Sequence, residues 1–111
     1  MVIYVDIDNT ICRPTGDDVT DYSKSEPISD RIDLINSIYA QGHEVVYWTA
    51  RGTKTGIDWL LITENQLANW GAKYTSLKMG KPAYDLFIDD KAISDMHFFG
   101  MSEIFKRSPG E

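Results

Sequence analysis

The sequence has 111 residues, a length that suits one domain and leaves little room for a second. Its 42% hydrophobic and 12% aromatic content can fill a core, which excludes a disordered chain. Its net charge of -6 excludes a general binder of nucleic acid or anionic membrane, since either needs a basic surplus.

Residues 2–5 (Val-Ile-Tyr-Val) are a short apolar, β-branched run that ends at Asp6, and they predict a strand buried on both faces. The run is too short for a signal peptide or a membrane span, so a cytoplasmic location is expected. The one cysteine, Cys12, cannot form an internal disulfide, fits a reducing compartment, and reads as a buried spacer. Residues 11–28 are rich in Thr, Asp, Ser, Pro and Gly and predict a loop or small hairpin beside a functional site.

Pro27 and a Ser29 N-cap open a predicted helix whose stripe is Ile32, Ile35, Ile38 and Tyr39, with Gly42 as its C-terminal cap. A second strand, Val45-Val46-Tyr47-Trp48, ends at Thr49. A second helix is expected over residues 57–70, with Leu60, Leu67 and Trp70 near one face and Gly71 closing it. Residues 74–77 form a weaker third strand. Leu86-Phe87-Ile88 form a fourth, ending at Asp89-Asp90. A last helix over 92–99 stops at Gly100, and residues 102–111 are expected to fray.

Alternating strands and helices predict an α/β fold with a single Rossmann-like parallel sheet flanked by helices, one domain over 1–111. Right-handed crossovers put every strand C-terminus at one edge, where such sheets bind ligands. That edge gathers Asp6 and Asp8, Thr49, Lys81, and Asp89 with Asp90. Several carboxylates in one pocket repel unless a cation is bound. There is no Cys/His zinc spacing, so the oxygen donors suit Mg²⁺. Such a metal draws in a phosphate dianion, Lys81 adds a second positive contact, and the Thr49 hydroxyl with nearby backbone N–H groups can hold the remaining oxygens.

The segments Asp6-Ile7-Asp8-Asn9-Thr10, Tyr47-Trp48-Thr49-Ala50-Arg51, Lys81 and Asp89-Asp90, in this order, resemble the four motifs of the haloacid dehalogenase superfamily of phosphatases. The resemblance spans residues 2–92 and implies a role for each residue. Asp6 is the expected nucleophile, forming an aspartyl-phosphate. Asp8 is the expected acid and base. The expected metal ligands are the Asp6 and Asp89 side chains, the Asp8 backbone carbonyl, and Asp90, either directly or through water. Thr10 braces the loop. Asp8 favours phosphoryl transfer over dehalogenation, because a halide leaves without a proton.

For the third motif Lys81 is preferred to Lys78, because it lies closer to Asp89 and precedes Pro82. Ala50 and Arg51 are expected at the substrate edge, with a salt bridge to the long loop as the competing role for Arg51. Arg13 and Lys24 are read as solvated charge. His43 and His97 are read as ordinary residues, and the three tryptophans as core packing. Neither interval between motifs has room for a cap domain, so the resemblance implies a capless member with an open site.

A small phosphorylated metabolite such as a sugar phosphate is the expected substrate, with a homo-oligomer covering the pocket. A phosphoprotein or nucleic-acid end is the alternative. A receiver-like binding module is disfavoured by the order of the acidic residues. An inactive scaffold is disfavoured by the complete motif set.

Overall fold

The structure, a computed structural model, describes the backbone of residues 1–106 and the side chains of residues 1–101. Strand β1 (Val2–Asp6) leads into a hairpin of β2 (Cys12–Arg13) and β3 (Glu26–Pro27), with a 3₁₀ turn at Tyr22–Lys24 in its long connection. Helix α1 (Ser29–Ala40), strand β4 (Glu44–Trp48), helix α2 (Leu60–Asn69), strand β5 (Ser76–Lys78) and helix α3 (Asp95–Lys106) follow. The sheet has three parallel strands in the order β1-β4-β5, so the chain is an α/β protein.

The register pairs Ile3 with Val45, Val5 with Tyr47, and Tyr47 with Leu77. Side chains alternate along a strand, so these residues share one face. They form one core with Ile32 and Ile35 of α1, Leu67 of α2 and Phe99 of α3. Each large side chain buried there contributes about 1.5–3 kcal/mol. β1 is therefore buried on one face, not on both as its sequence suggested. Val2 and Tyr4 point away from the core and are 61% and 49% exposed. Tyr4 meets Trp48 edge-on across that outer face.

The first helix begins with Ser29 inside it. Its N-cap is Ile28, which makes no side-chain cap bond, so the expected Ser29 cap is not formed. Gly42 ends it as expected, with φ 97° and its N–H bonded to the Tyr39 carbonyl. Asn36 of α1 ties the end of the second helix to the core, donating to Gly71 O and accepting from Lys73 N–H.

α2 starts later than expected, and Leu60 is 39% exposed, because Thr63 and Leu67 supply its buried face. β5 lies slightly later than the predicted third strand. α3 begins at Asp95 and runs through Gly100. A glycine inside a helix costs only about 1 kcal/mol, which packing can offset. Arg31 anchors this helix, bonding Asp95 and Thr10 O and lying 4.5 Å from the Phe99 ring. The predicted fraying of 102–111 falls partly within α3, and residues 107–111 lie outside the described residues.

The largest departure is the predicted fourth strand. Leu86-Phe87-Ile88 joins no sheet, and Leu86 and Ile88 are 74% and 86% exposed. Phe87 instead stacks on Tyr84 at 5.2 Å, a local contact that a three-residue strand must outweigh with few ladder bonds. Between β1 and β4 lie only the hairpin, its turn and α1, and between β4 and β5 only α2, so neither interval holds a cap domain. No helix among the described residues is long and apolar enough to cross a membrane.

Tyr47 carries one unmatched group. Its side chain is fully buried and its hydroxyl has no hydrogen-bond partner among the described residues, although its ring packs edge-on against Tyr74. A buried unsatisfied hydroxyl costs about 1–3 kcal/mol. Tyr47→Phe is expected to raise the unfolding free energy by about 1 kcal/mol in denaturant melts. A clear loss of stability in that variant would show that the hydroxyl is bonded.

Candidate active site at the strand ends

The pocket opens where β1 and β4 end. Its volume is about 230 Å³, and it is bounded by Asp6, Asp8, Arg51, Lys81 and the rings of Tyr22 and Tyr84, with Ala50 also in its wall. A tight turn after β1 presents the two acids. Thr10 N–H and Ile11 N–H both bond the Ile7 carbonyl, and Asn9 takes φ 62°. Asn adopts this left-handed conformation more easily than most residues. Ile7 and Ile11 are fully buried beneath the turn, so Asp6 and Asp8 stand at its polar lip.

Asp6 faces Lys81, with Nζ 3.3 Å from Oδ1, and accepts from the Thr10 hydroxyl at 3.4 Å. Thr10 thus braces the loop as expected. Burial pushes the Asp6 carboxyl above its usual range, and Lys81 and the Ile7 N–H offset this only in part. Burial also pulls the Lys81 ammonium down, but its bond to Tyr84 and the Asp6 charge outweigh that, so its net shift is upward. The Lys81 ammonium lies 5.8 Å from the Trp48 ring centroid and 5.4 Å from that of Tyr84. Its backbone N–H bonds the Thr49 carbonyl, and its carbonyl accepts from the Thr53 hydroxyl. Lys78 is instead exposed and reaches the Tyr4 hydroxyl at 2.8 Å.

Thr49 is fully buried, and its hydroxyl accepts the Arg51 backbone N–H at 3.1 Å. It shapes the loop after β4, and its oxygen faces that bond in place of the pocket. The Arg51 side chain is fully buried too, and it pairs with Asp8: Nε donates to Oδ2 at 3.0 Å and one terminal nitrogen to Oδ1 at 2.9 Å. Arg51 forms a salt bridge, but not the expected one to the long loop. Its partner is the motif acid, with the long loop contributing the Tyr22 ring beneath the guanidinium at 4.9 Å.

Sequence reasoning missed Tyr22, Tyr84, Thr63 and Gln66. The only signal was the long polar loop flagged beside the site, which does contribute Tyr22. Asp89 and Asp90 are exposed and do not join Asp6 and Asp8. Asp89 lines an adjoining hollow of about 780 Å³ along the unpaired edge of β1, which shares Asp6, Lys81 and Tyr84 with the pocket but does not include Asp8. No three His, Cys, Asp or Glu side chains among the described residues are grouped so that they could hold a metal ion. The separation follows from the fourth strand remaining off the sheet.

The fold and pocket define an α/β protein with a parallel sheet and a pocket at its strand ends lined by two acid–base ion pairs. It is similar to a solved structure of a structural-genomics target from Vibrio cholerae, at 28% identity and TM-score 0.76, over 95% of this chain and 94% of that one. No family model and no curated protein matches the chain.

Gly52 holds the Arg51 loop at φ 81°, and a Cβ there would overlap the Ile57 carbonyl. Gly52→Ala is expected to cost about 1–3 kcal/mol in denaturant melts. An unchanged midpoint would show that the loop adapts.

Burial, with the Asp8 charge adding and Arg51 opposing, pushes the Cys12 thiol from 9.0 up to about 12. The folded state therefore keeps its proton longer than the unfolded chain. The associated stability is full below pH 9.0 and is lost as pH rises toward 12. Native Cys12 is expected to react with iodoacetamide at pH 8 at least about a hundred-fold more slowly than in denaturant. Equal rates would contradict this.

Proposed function

We propose that this protein is a Mg²⁺-dependent phosphomonoesterase of the haloacid dehalogenase type, acting through an aspartyl-phosphate. The observation that carries the reading is the Lys81–Asp6 contact, in a pocket that Asp8 shares at the strand ends. In this reading an Asp6 oxygen attacks phosphorus as the bond to the leaving oxygen breaks, and Asp8 supplies the proton that oxygen takes up. Water then attacks the phosphorus and Asp8 takes its proton. Inorganic phosphate leaves and both carboxyl groups are restored. Lys81 balances charge on the phosphoryl oxygens, and Thr49 holds the backbone around them.

The donor set is all oxygen and suits Mg²⁺: the Asp6 side chain, the Asp8 carbonyl, Asp89, and Asp90 directly or through water. The metal would supply charge neutralisation at the transferring phosphoryl group. Asp6 is a part-buried carboxylate already paired with Lys81, so a metal there would share it with the ammonium. Asp89 fits by chemistry but not by position, since the completed set requires residues 84–91 to close on the β1 edge.

The pocket volume of about 230 Å³ suits a phosphoryl group on a small alcohol such as a sugar. With no cap over it, a second copy of the chain is the proposed cover. The lone cysteine suits a reducing compartment such as the cytoplasm.

The wild-type protein is expected to release phosphate from p-nitrophenyl phosphate only with Mg²⁺, and Asp6→Asn to lower the rate at least about a thousand-fold. Activity indifferent to chelator, or undiminished in the variant, would sink the proposal.

A further inference from the structure

Arg51 makes an unusual set of contacts for a group at the wall of a pocket. Its side chain is fully buried, and all of its N–H directions meet protein atoms. The edge formed by Nε and one terminal nitrogen grips both oxygens of Asp8. That same terminal nitrogen lies 3.9 Å from Cys12 Sγ. The other terminal nitrogen donates to Thr63 Oγ1 at 3.0 Å and to Gln66 Oε1 at 2.6 Å.

Thr63 and Gln66 are three residues apart on α2 and so share a face. Each is fixed in turn. The Thr63 hydroxyl donates to the Trp59 carbonyl, and Gln66 Nε2 donates to the Tyr22 carbonyl. The Tyr22 ring then closes the network beneath the guanidinium and packs edge-on against Trp59.

A guanidinium with its donors committed in this way has nothing left for a phosphoryl oxygen, yet its fork fixes the plane of the Asp8 carboxyl. Resting on the phosphatase reading above, we infer that Arg51 is a positioning residue for Asp8. It holds the carboxyl in the plane from which the proton reaches the leaving oxygen, and α2 and the long loop hold Arg51. Each carboxylate oxygen has about two acceptor directions; Arg51 takes one on each, and the Cys12 thiol, 3.5 Å away, takes a second on Oδ1, which leaves one on Oδ2. That remaining position on Oδ2 carries the proton that moves to the ester oxygen as the P–O bond breaks.

Proton delivery matters for a poor leaving group and little for a good one. The experiment compares an alkyl phosphomonoester with 2,4-dinitrophenyl phosphate in wild type, Arg51→Gln and Gln66→Leu, with melting temperature and KM measured alongside. Arg51→Gln is expected to lose about a hundred-fold more turnover on the alkyl ester than on the activated ester. Gln66→Leu, which keeps the Asp8 contacts and stands in if Arg51→Gln fails to fold, is expected to show the same selectivity at about ten-fold. Equal losses on both esters, or a change in KM alone, overturn the positioning role while leaving the phosphatase reading intact. Wild type inert toward both esters overturns the phosphatase reading and the inference with it.

Discussion

Removing a guanidinium from water costs several kcal/mol, and the cost is offset only when nearly every donor finds an acceptor. Arg51 sets this constraint, and much of the local architecture answers it. Asp8 comes from the turn after β1, Thr63 and Gln66 from α2, and Tyr22 from the long loop. Segments distant in sequence are held together because one buried charge needs all of them. The same constraint explains why α2 buries a threonine where an apolar stripe was expected: Thr63 serves the guanidinium.

The sheet supplies the frame on which that network is hung. Parallel pairing of β1 with β4 places Asp6 opposite Trp48, so the residues following both strands emerge side by side. Thr49 then ties the β4 loop to the end of β5 and the residues after it, its N–H bonding Lys78 O and its carbonyl accepting from Lys81 N–H. The Lys81 side chain reaches Asp6 because its backbone is pinned to this loop. The core lies to one side of the sheet, which leaves Tyr4 and Trp48 on the outer face, where Tyr4 meets Lys78 and Trp48 underlies Lys81.

The apolar runs at β1 and β4 were readable as parallel strands from β-branched runs ending in polar residues, although only β4 is buried on both faces. The first helix was readable from its stripe and from Gly42. Asp6, Asp8 and Lys81 were readable as a group because strand ends share an edge. The Asp8–Arg51 pairing was not, since two residues 43 apart carry no local pattern. Ser29 misled because a backbone N-cap can come from the residue before it. Leu86-Phe87-Ile88 misled because three apolar residues satisfy an aromatic contact to Tyr84 as readily as a sheet edge.

The pairing of each pocket acid with its own base has a kinetic consequence. Asp6 with Lys81 and Asp8 with Arg51 leave the pocket nearly balanced, inside a chain whose net charge is -6. With no metal bound, an approaching anion therefore meets no attractive funnel, only weak repulsion from the body of the protein. Added salt screens that repulsion over a Debye length of about 10 Å at 0.1 M, so capture of an anionic ligand speeds up with ionic strength.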